Sequence, residues 1–280
     1  PIDSTVEIVG AGIGKTVLLF INSTAGKSAI KLSGKAIRSR FQDFELQDAT
    51  FGTSCGIELT DSIAAGGGVQ KIAFTRVMVT GYDIGHKYTS ANPLAGNTHA
   101  MCSETVWLHC RFVICRLAML SQNCQAYNNR YIGCDVENFD TTYRGSAVVD
   151  ASFDMFSDEA GGGFFIEGGS YIGRGKLYKW KYPLGGTTLW SGATFSAQNI
   201  RMEARSTHNG AIVNEEVHGV TGSLNLNLDL KNIDITTSSQ NLDLLRYGGR
   251  VNGRIENVFA TAGAGSLTVR QYPTLGRTSN

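Results

Sequence analysis

Cleavage of a glycosidic bond usually needs two carboxyl groups, about 5–5.5 Å apart for retention of configuration and about 6.5–9.5 Å apart for inversion. Four acidic residues, Asp150, Asp154, Glu203 and Asp229, stand at positions that an alternating strand pattern turns toward solvent. Glu203 and Asp229 are 26 residues apart, close to one circuit of a repeating β-fold. Strands about 4.8 Å apart would then bring the two acids within working range. Asp150 and Asp154 share one face of residues 149–155 but lie ~13 Å apart at about 3.3 Å per residue, so each needs a partner from another circuit or subunit. A lyase would instead need a base together with a cation such as Arg201 to neutralise a sugar carboxylate. The competing reading of every acid is a solvated face, with Glu203 between Arg201 and Arg205 as a ladder of charge.

The stretch from Arg174 to Tyr182, RGKLYKWKY, alternates aromatic and basic residues. Tyr178, Trp180 and Tyr182 share one face, and Lys179 and Lys181 share the other. Exposed, these rings and Trp190 nearby would be stacking platforms for sugars, and the lysines would attract an anionic glycan. The alternative packs the aromatics onto the body and leaves the lysines in water.

Other motifs carry less. Gly12-Ile13-Gly14-Lys15-Thr16 suggests a phosphate loop, but that pattern needs glycine where Val9 stands, and a strand-like run follows where a helix should start. The glycines fit a tight corner better. Cys110, Cys115, Cys124 and Cys134 are separated by four, eight and nine residues, which matches no zinc ribbon. Cys110 shares strand parity with Phe112 and points inward, as a small buried hydrophobe. No cofactor or metal is expected.

The elements that hold these residues are strands. Leu224, Leu226, Leu228 and Leu230 alternate with polar residues, and Ile233 and Ile235 resume after Asn232. A phrase of Asn followed by an apolar residue recurs at Asn199, Asn232 and Asn257, with a polar residue third in the first two, and with a looser copy at Asn138, at intervals of 61, 33 and 25 residues. Self-similarity at this period predicts stacked coils, with 61 read as two turns. Asn tolerates the left-handed conformation that redirects a chain, and Asn side chains at one corner of successive coils can stack. A sandwich of hairpins would need Asn-Gly or Asp-Gly turns, and only Asn209-Gly210 and Asn252-Gly253 qualify.

Composition agrees: 34 glycines, 4 prolines and 18% charged residues in 280. A formal charge of +1 argues against a general nucleic-acid binder, and no apolar run is long enough to suggest membrane insertion. A body over residues 1–270 is expected, as a segment of a longer chain, with 271–280 as a tail or linker.

Three passages carry a resemblance: Val9-Gly10-Ala11-Gly12-Ile13-Gly14-Lys15-Thr16, Trp107-Leu108-His109-Cys110-Arg111-Phe112, and the run from Tyr127 to Phe139 containing Asn128-Asn129. With them the chain resembles the bacteriophage tailspikes of the pectate-lyase-like family, all-β proteins built as a right-handed single-stranded parallel β-helix. The resemblance spans about residues 6 to 260 as a fold pattern. The opening Gly-Asp-Gly segment of that family is missing, and so is a recognisable trimerisation region after Gln271. The resemblance implies a homotrimeric virion appendage, made in the host cytoplasm and attached to other tail proteins, that binds bacterial surface polysaccharide. Many such proteins cleave it; a non-enzymatic structural or adhesive fibre is the alternative. Reduced cysteines fit folding in a cytosol.

Overall fold

The computed structural model describes residues 2–21, 24–34, 36–50, 52, 54–61, 68–89, 101–123, 125–137, 155–157, 162–173, 177–181, 193–204, 211–216, 225–237, 241–247, 250–261 and 266–271. The first strands are β1 (Glu7–Val9), β2 (Val17–Phe20), β3 (Ser28–Ser33), β4 (Arg40–Asp48), β5 (Cys55–Thr60), β6 (Ala73–Thr80) and β7 (Ile84–Thr89). There follow β8 (Val106–Leu108), β9 (Arg111–Val113), β10 (Leu117–Gln122), β11 (Asn129–Glu137), β12 (Met155–Ser157), β13 (Gly163–Gly173) and β14 (Tyr178–Lys181). The last are β15 (Ala193–Ala204), β16 (Ala211–Glu216), β17 (Asn225–Thr237), β18 (Asn241–Tyr247), β19 (Arg250–Thr261) and β20 (Ser266–Gln271).

The described residues are all-β, without a helix, and form two parallel sheets. One runs β1-β4-β6-β8-β11-β13-β15-β17-β19, with β2 beside β4 and β9 between β6 and β11. The other runs β3-β5-β7-β10-β12-β14-β16-β18-β20. From β3 on, the chain visits the two sheets in turn, so each strand pairs with the one laid down a circuit earlier. Asn252-Gly253, a candidate hairpin turn in the sequence, lies inside β19 and pairs in parallel with Asn227 and Leu228.

Left-handed residues bend the chain at fixed positions. Asp43, Arg76, His109, Gly133, Gly168, Asn199, Asn232 and Asn257, with φ from 49° to 68°, share one column of the larger sheet. A second set, Arg38, Lys71, Glu104 and Asn128, lies at the entry to that sheet, and a third, Gly52, Gly81 and Ile114, at its exit. A left-handed residue interrupts the two-residue side-chain period, which lets alternation restart in the new direction. That is why Leu230 is followed inward by Ile233 and not by residue 232.

The Asn side chains stack as expected: Asn232 Nδ2 donates to Asn199 Oδ1 at 2.9 Å, and Asn257 Nδ2 to Asn232 Oδ1 at 3.1 Å. Asn138 lies outside the described residues. The bend of its circuit is at Gly133, so the 61-residue interval is not two equal turns: the adjoining registers step by 35 and 31 residues.

The first circuit departs from the rest. Val9 aligns with Gln42 and Val17 with Glu45, so five additional residues fill the corner. There Thr16 accepts the Ala11 N–H on its hydroxyl and donates its own N–H to Gly12 O. A Cβ on Gly10 would lie 2.2 Å from Asp43 O, so only glycine fits. The strand β2 follows directly, as the corner reading of this glycine run requires.

Inside, side chains stack along the columns. Phe41, Phe74, Trp107 and Tyr131 lie nearly parallel, with successive centroids 4.9, 4.0 and 6.2 Å apart. Leu226, Leu228, Leu230, Ile233 and Ile235 are buried as the alternation predicts. Cys55, Cys102, Cys110, Cys115 and Cys134 are buried free thiols, and Cys124 lies outside the described residues.

Candidate functional site

Strand parity places the proposed site residues that the structure describes, but register decides which ones meet. Glu203 points outward from β15 beyond the Asn199 bend, where Arg201 Nη2 grips its Oε1. Asp229 points outward from β17 before the Asn232 bend and binds Arg254 through Nε at 3.2 Å and Nη2 at 3.5 Å. The step from β15 to β17 is 33 residues, not 26: Glu203 aligns with Thr236, and Asp229 with Ser196. Seven residues of chain path, ~23 Å at about 3.3 Å each, and one bend separate the two acids. Within the chain they do not face each other on adjoining strands.

Tyr178 and Trp180 are corrected too. Tyr178 stacks on Phe195 with centroids 4.2 Å apart, and both Tyr178 and Trp180 are fully buried. Their column in the smaller sheet runs through Ile57 and His86, or Leu59 and Tyr88, all facing the core. The hydrophobic gain from enclosing two large rings outweighs their exposure as platforms. Asp150, Asp154, Tyr182 and Trp190 lie outside the described residues.

The register brings forward a residue that spacing alone concealed. Glu137, Ile172 and Glu203 are successive members of one outward column. Two strand spacings, roughly 9.6 Å, separate the backbones of the two glutamates. Arg111 Nη2 contacts Glu137 Oε1 at 2.8 Å, one column away, just as Arg201 serves Glu203. Asp135 stands beside Arg111 in register and accepts the Ser170 N–H at 3.1 Å. Exposed Asp234 aligns with Arg201. The result is two ion pairs, Arg111 with Glu137 and Arg201 with Glu203, on either side of the uncharged Ser170 and Ile172 of β13, with groups able to donate to and accept from sugar hydroxyls. The sequence signal was the matched pair Asp135-Val136-Glu137 and Arg201-Met202-Glu203, hidden by circuits of unequal length.

Two polar clusters are structural by their contacts. Glu58, between Lys31 and Lys87 in one column, accepts from Ser28 Oγ at 2.5 Å, Lys31 Nζ at 2.9 Å and Thr89 Oγ1 at 3.1 Å, with Lys87 Nζ at 3.2 Å. Burial raises its carboxyl pKa, but these donors outweigh burial and hold it below the ordinary value. In the core, His86 Nε2 lies 2.8 Å from Tyr131 Oη, which lies 3.2 Å from Tyr88 Oη, and Trp107 Nε1 donates to Tyr88 Oη at 3.1 Å. Burial pushes His86 down to about 3, so its ring is neutral near pH 7. Among the described residues no group of three or more His, Cys, Asp or Glu is placed to hold a metal, and no helix is long and apolar enough to cross a membrane.

Compared with known proteins, the chain matches no family model, no curated protein and no solved structure.

Proposed function

We propose that the chain is a right-handed single-stranded parallel β-helix and forms the shaft of a bacteriophage tail appendage, a homotrimer seated on other tail proteins, which binds bacterial surface polysaccharide. The observation that carries this is the pairing of every strand with the strand one circuit away, in parallel, with bends in fixed columns. Right-handedness follows from the strong preference of parallel crossovers for that hand. The virion setting rests on the resemblance of the three sequence passages to tailspikes. Stacked circuits give a stiff body whose outward columns repeat at the strand spacing, and the panel of Arg111, Glu137, Arg201 and Glu203 supplies polar contacts along it.

Between an adhesive shaft and a depolymerase, the adhesive reading is favoured by the separation of Glu203 from Asp229 and by the burial of Tyr178 and Trp180. The test is incubation with a set of purified bacterial surface polysaccharides, read by co-sedimentation, product size and absorbance of unsaturated sugars. Retention of a polysaccharide at unchanged chain length is expected, and Arg201→Ala should weaken it. Shortened chains would overturn the adhesive reading, and failure to retain any polysaccharide would overturn the binding role.

A further inference from the structure

We propose that the outer face of the larger sheet holds a saccharide subsite at Gly168, framed by the rings of His109 and Phe165, the Glu167 carboxylate and the Asn199 amide, which takes an uncharged sugar unit of a longer glycan. The subsite rests on the polysaccharide-binding reading and gives that reading a place. Gly168 lies well inside the sheet, in the bend column between Gly133 and Asn199, with further circuits on both sides.

A Cβ at Gly168 would meet nothing nearer than the Gly133 backbone at 3.9 Å, so the space over this rung is open. The Asn ladder stops at its edge. Asn257 donates to Asn232 and Asn232 to Asn199, which leaves Asn199 Nδ2 as the free donor end of a chain of amides that polarise one another. Among the described residues neither Asn199 Nδ2 nor the Glu167 carboxylate has a partner, and both residues are exposed. A donor and an acceptor on adjoining strands suit neighbouring sugar hydroxyls, and Glu167 repels a sugar carboxylate.

Two rings rest on glycine beside this opening. His109 covers Gly133, with Nδ1 2.6 Å from where a Cβ would stand, and Phe165 leans over Gly163, with Cε2 at 3.4 Å. Phe165 has the outward parity of Glu167, opposite the buried Phe164 and Ile166; it is half-buried, and His109 is exposed. A ring that rests on glycine is supported from beneath and keeps its other face for the apolar side of a sugar. By strand geometry His109 is two strands from Gly168, roughly 9.6 Å, and Phe165 three residues along β13, about 10 Å. These rings can play the part that Tyr178 and Trp180, sealed in the core, cannot.

Calorimetric titration of the chain with purified bacterial surface polysaccharides, beside urea unfolding of each variant, tests this. Gly168→Asn suits the left-handed φ of 68° and extends the ladder by accepting from Asn199, so it should unfold at the wild-type urea midpoint or above while binding about tenfold more weakly. Phe165→Leu keeps apolar bulk without the ring face and should also weaken binding about tenfold, whereas Phe165→Tyr should retain it. If the wild type binds a polysaccharide and either Gly168→Asn or Phe165→Leu binds it as tightly, the subsite is overturned and the polysaccharide reading stands. If the wild type binds none, both fall. A markedly lower urea midpoint for Gly168→Asn would deny the open space over this rung and overturn the subsite as well.

Discussion

The His86 ring offers a direct thermodynamic check on the packing of the core. It sits 4.3 Å from the Trp107 ring and 4.8 Å from Phe112, centroid to centroid, with Nε2 against Tyr131 Oη at 2.8 Å. Burial lowers its pKa from 6.5 to about 3. The folded state therefore takes up its proton later than the unfolded state as pH falls. Stability is unaffected above the unfolded value, declines as pH drops through 6.5 toward 3, and stops declining below that. Each pH unit inside the window is worth about 1.4 kcal/mol, so moving from pH 7 to pH 5 costs about 2 kcal/mol from this one group. The carboxyls held low, Glu58 and Asp43, lose their contribution only as pH falls below their ordinary values of 4.5 and 3.8, outside that interval. His86→Phe keeps a flat ring of similar size and removes the titration. Losing the bond to Tyr131 costs about 1–2 kcal/mol at every pH. Urea unfolding followed by Trp fluorescence should then show the wild type losing about 2 kcal/mol more than the variant between pH 7 and pH 5. Parallel pH profiles for the two proteins would refute the buried, neutral assignment.

Further perturbations probe the bends and the panel. Leu226→Asp puts a carboxylate into a fully buried column and should cost several kcal/mol, enough to prevent folding; a soluble variant that unfolds cooperatively would sink the inward assignment of β17. Asn232→Ala forfeits both ladder bonds and places alanine at φ 52°, for a combined loss of about 1–3 kcal/mol by denaturant titration, whereas Asn232→Gly should recover the backbone share; equal losses would deny that the bend is strained. Ile114 holds φ 54° with a β-branched side chain, so Ile114→Gly should raise stability by roughly 1 kcal/mol or leave it level, and a large loss would show that side-chain packing dominates there. Glu203→Gln should leave the length of incubated polysaccharide unchanged, as the wild type does; activity present in the wild type and lost in the variant would restore a catalytic role to this acid.

What was readable in the chain was parity, and what was not was register. Alternation from Leu226 to Ile235 states which side chains face inward, because a strand has a fixed period of two and water rejects the apolar set. It also put Tyr178 and Trp180 on one face and Lys179 on the other, yet parity alone does not say which face is covered. Both are: the rings face the core and Lys179 is only 5% exposed, so it does not stand in water as the packed-aromatic reading has it. Register depends on the lengths of the excursions between strands, which no local propensity fixes. The pairs of the larger sheet step by 33 residues from Arg40 to Ala73, by 24 from Val106 to Arg130 and by 35 from Asn129 to Phe164. A spacing of 26 therefore looked like one circuit for Glu203 and Asp229 and was not, while the true column mate Glu137 lay two unequal circuits away.

The bends show the same division. Asn199, Asn232 and Asn257 announce themselves, because Asn accepts the left-handed region. Asp43 and His109, of types that also accept this region, share the identical column with Arg76, which has no such preference. Arg76 donates Nε and Nη2 to the two carboxylate oxygens of Asp43 at 2.6 and 2.8 Å, one bend gripping the next. The His109 ring covers Gly133 so closely that a Cβ at 133 would come within 2.6 Å of Nδ1. A glycine at that bend is thus favoured twice, by its own left-handed φ of 57° and by the ring of the residue one circuit before it. In a fold whose contacts are mostly between successive circuits, the reason for a residue commonly lies some thirty positions away, and a local reading recovers it only where, as with the Asn ladder, the same solution is used several times in a row.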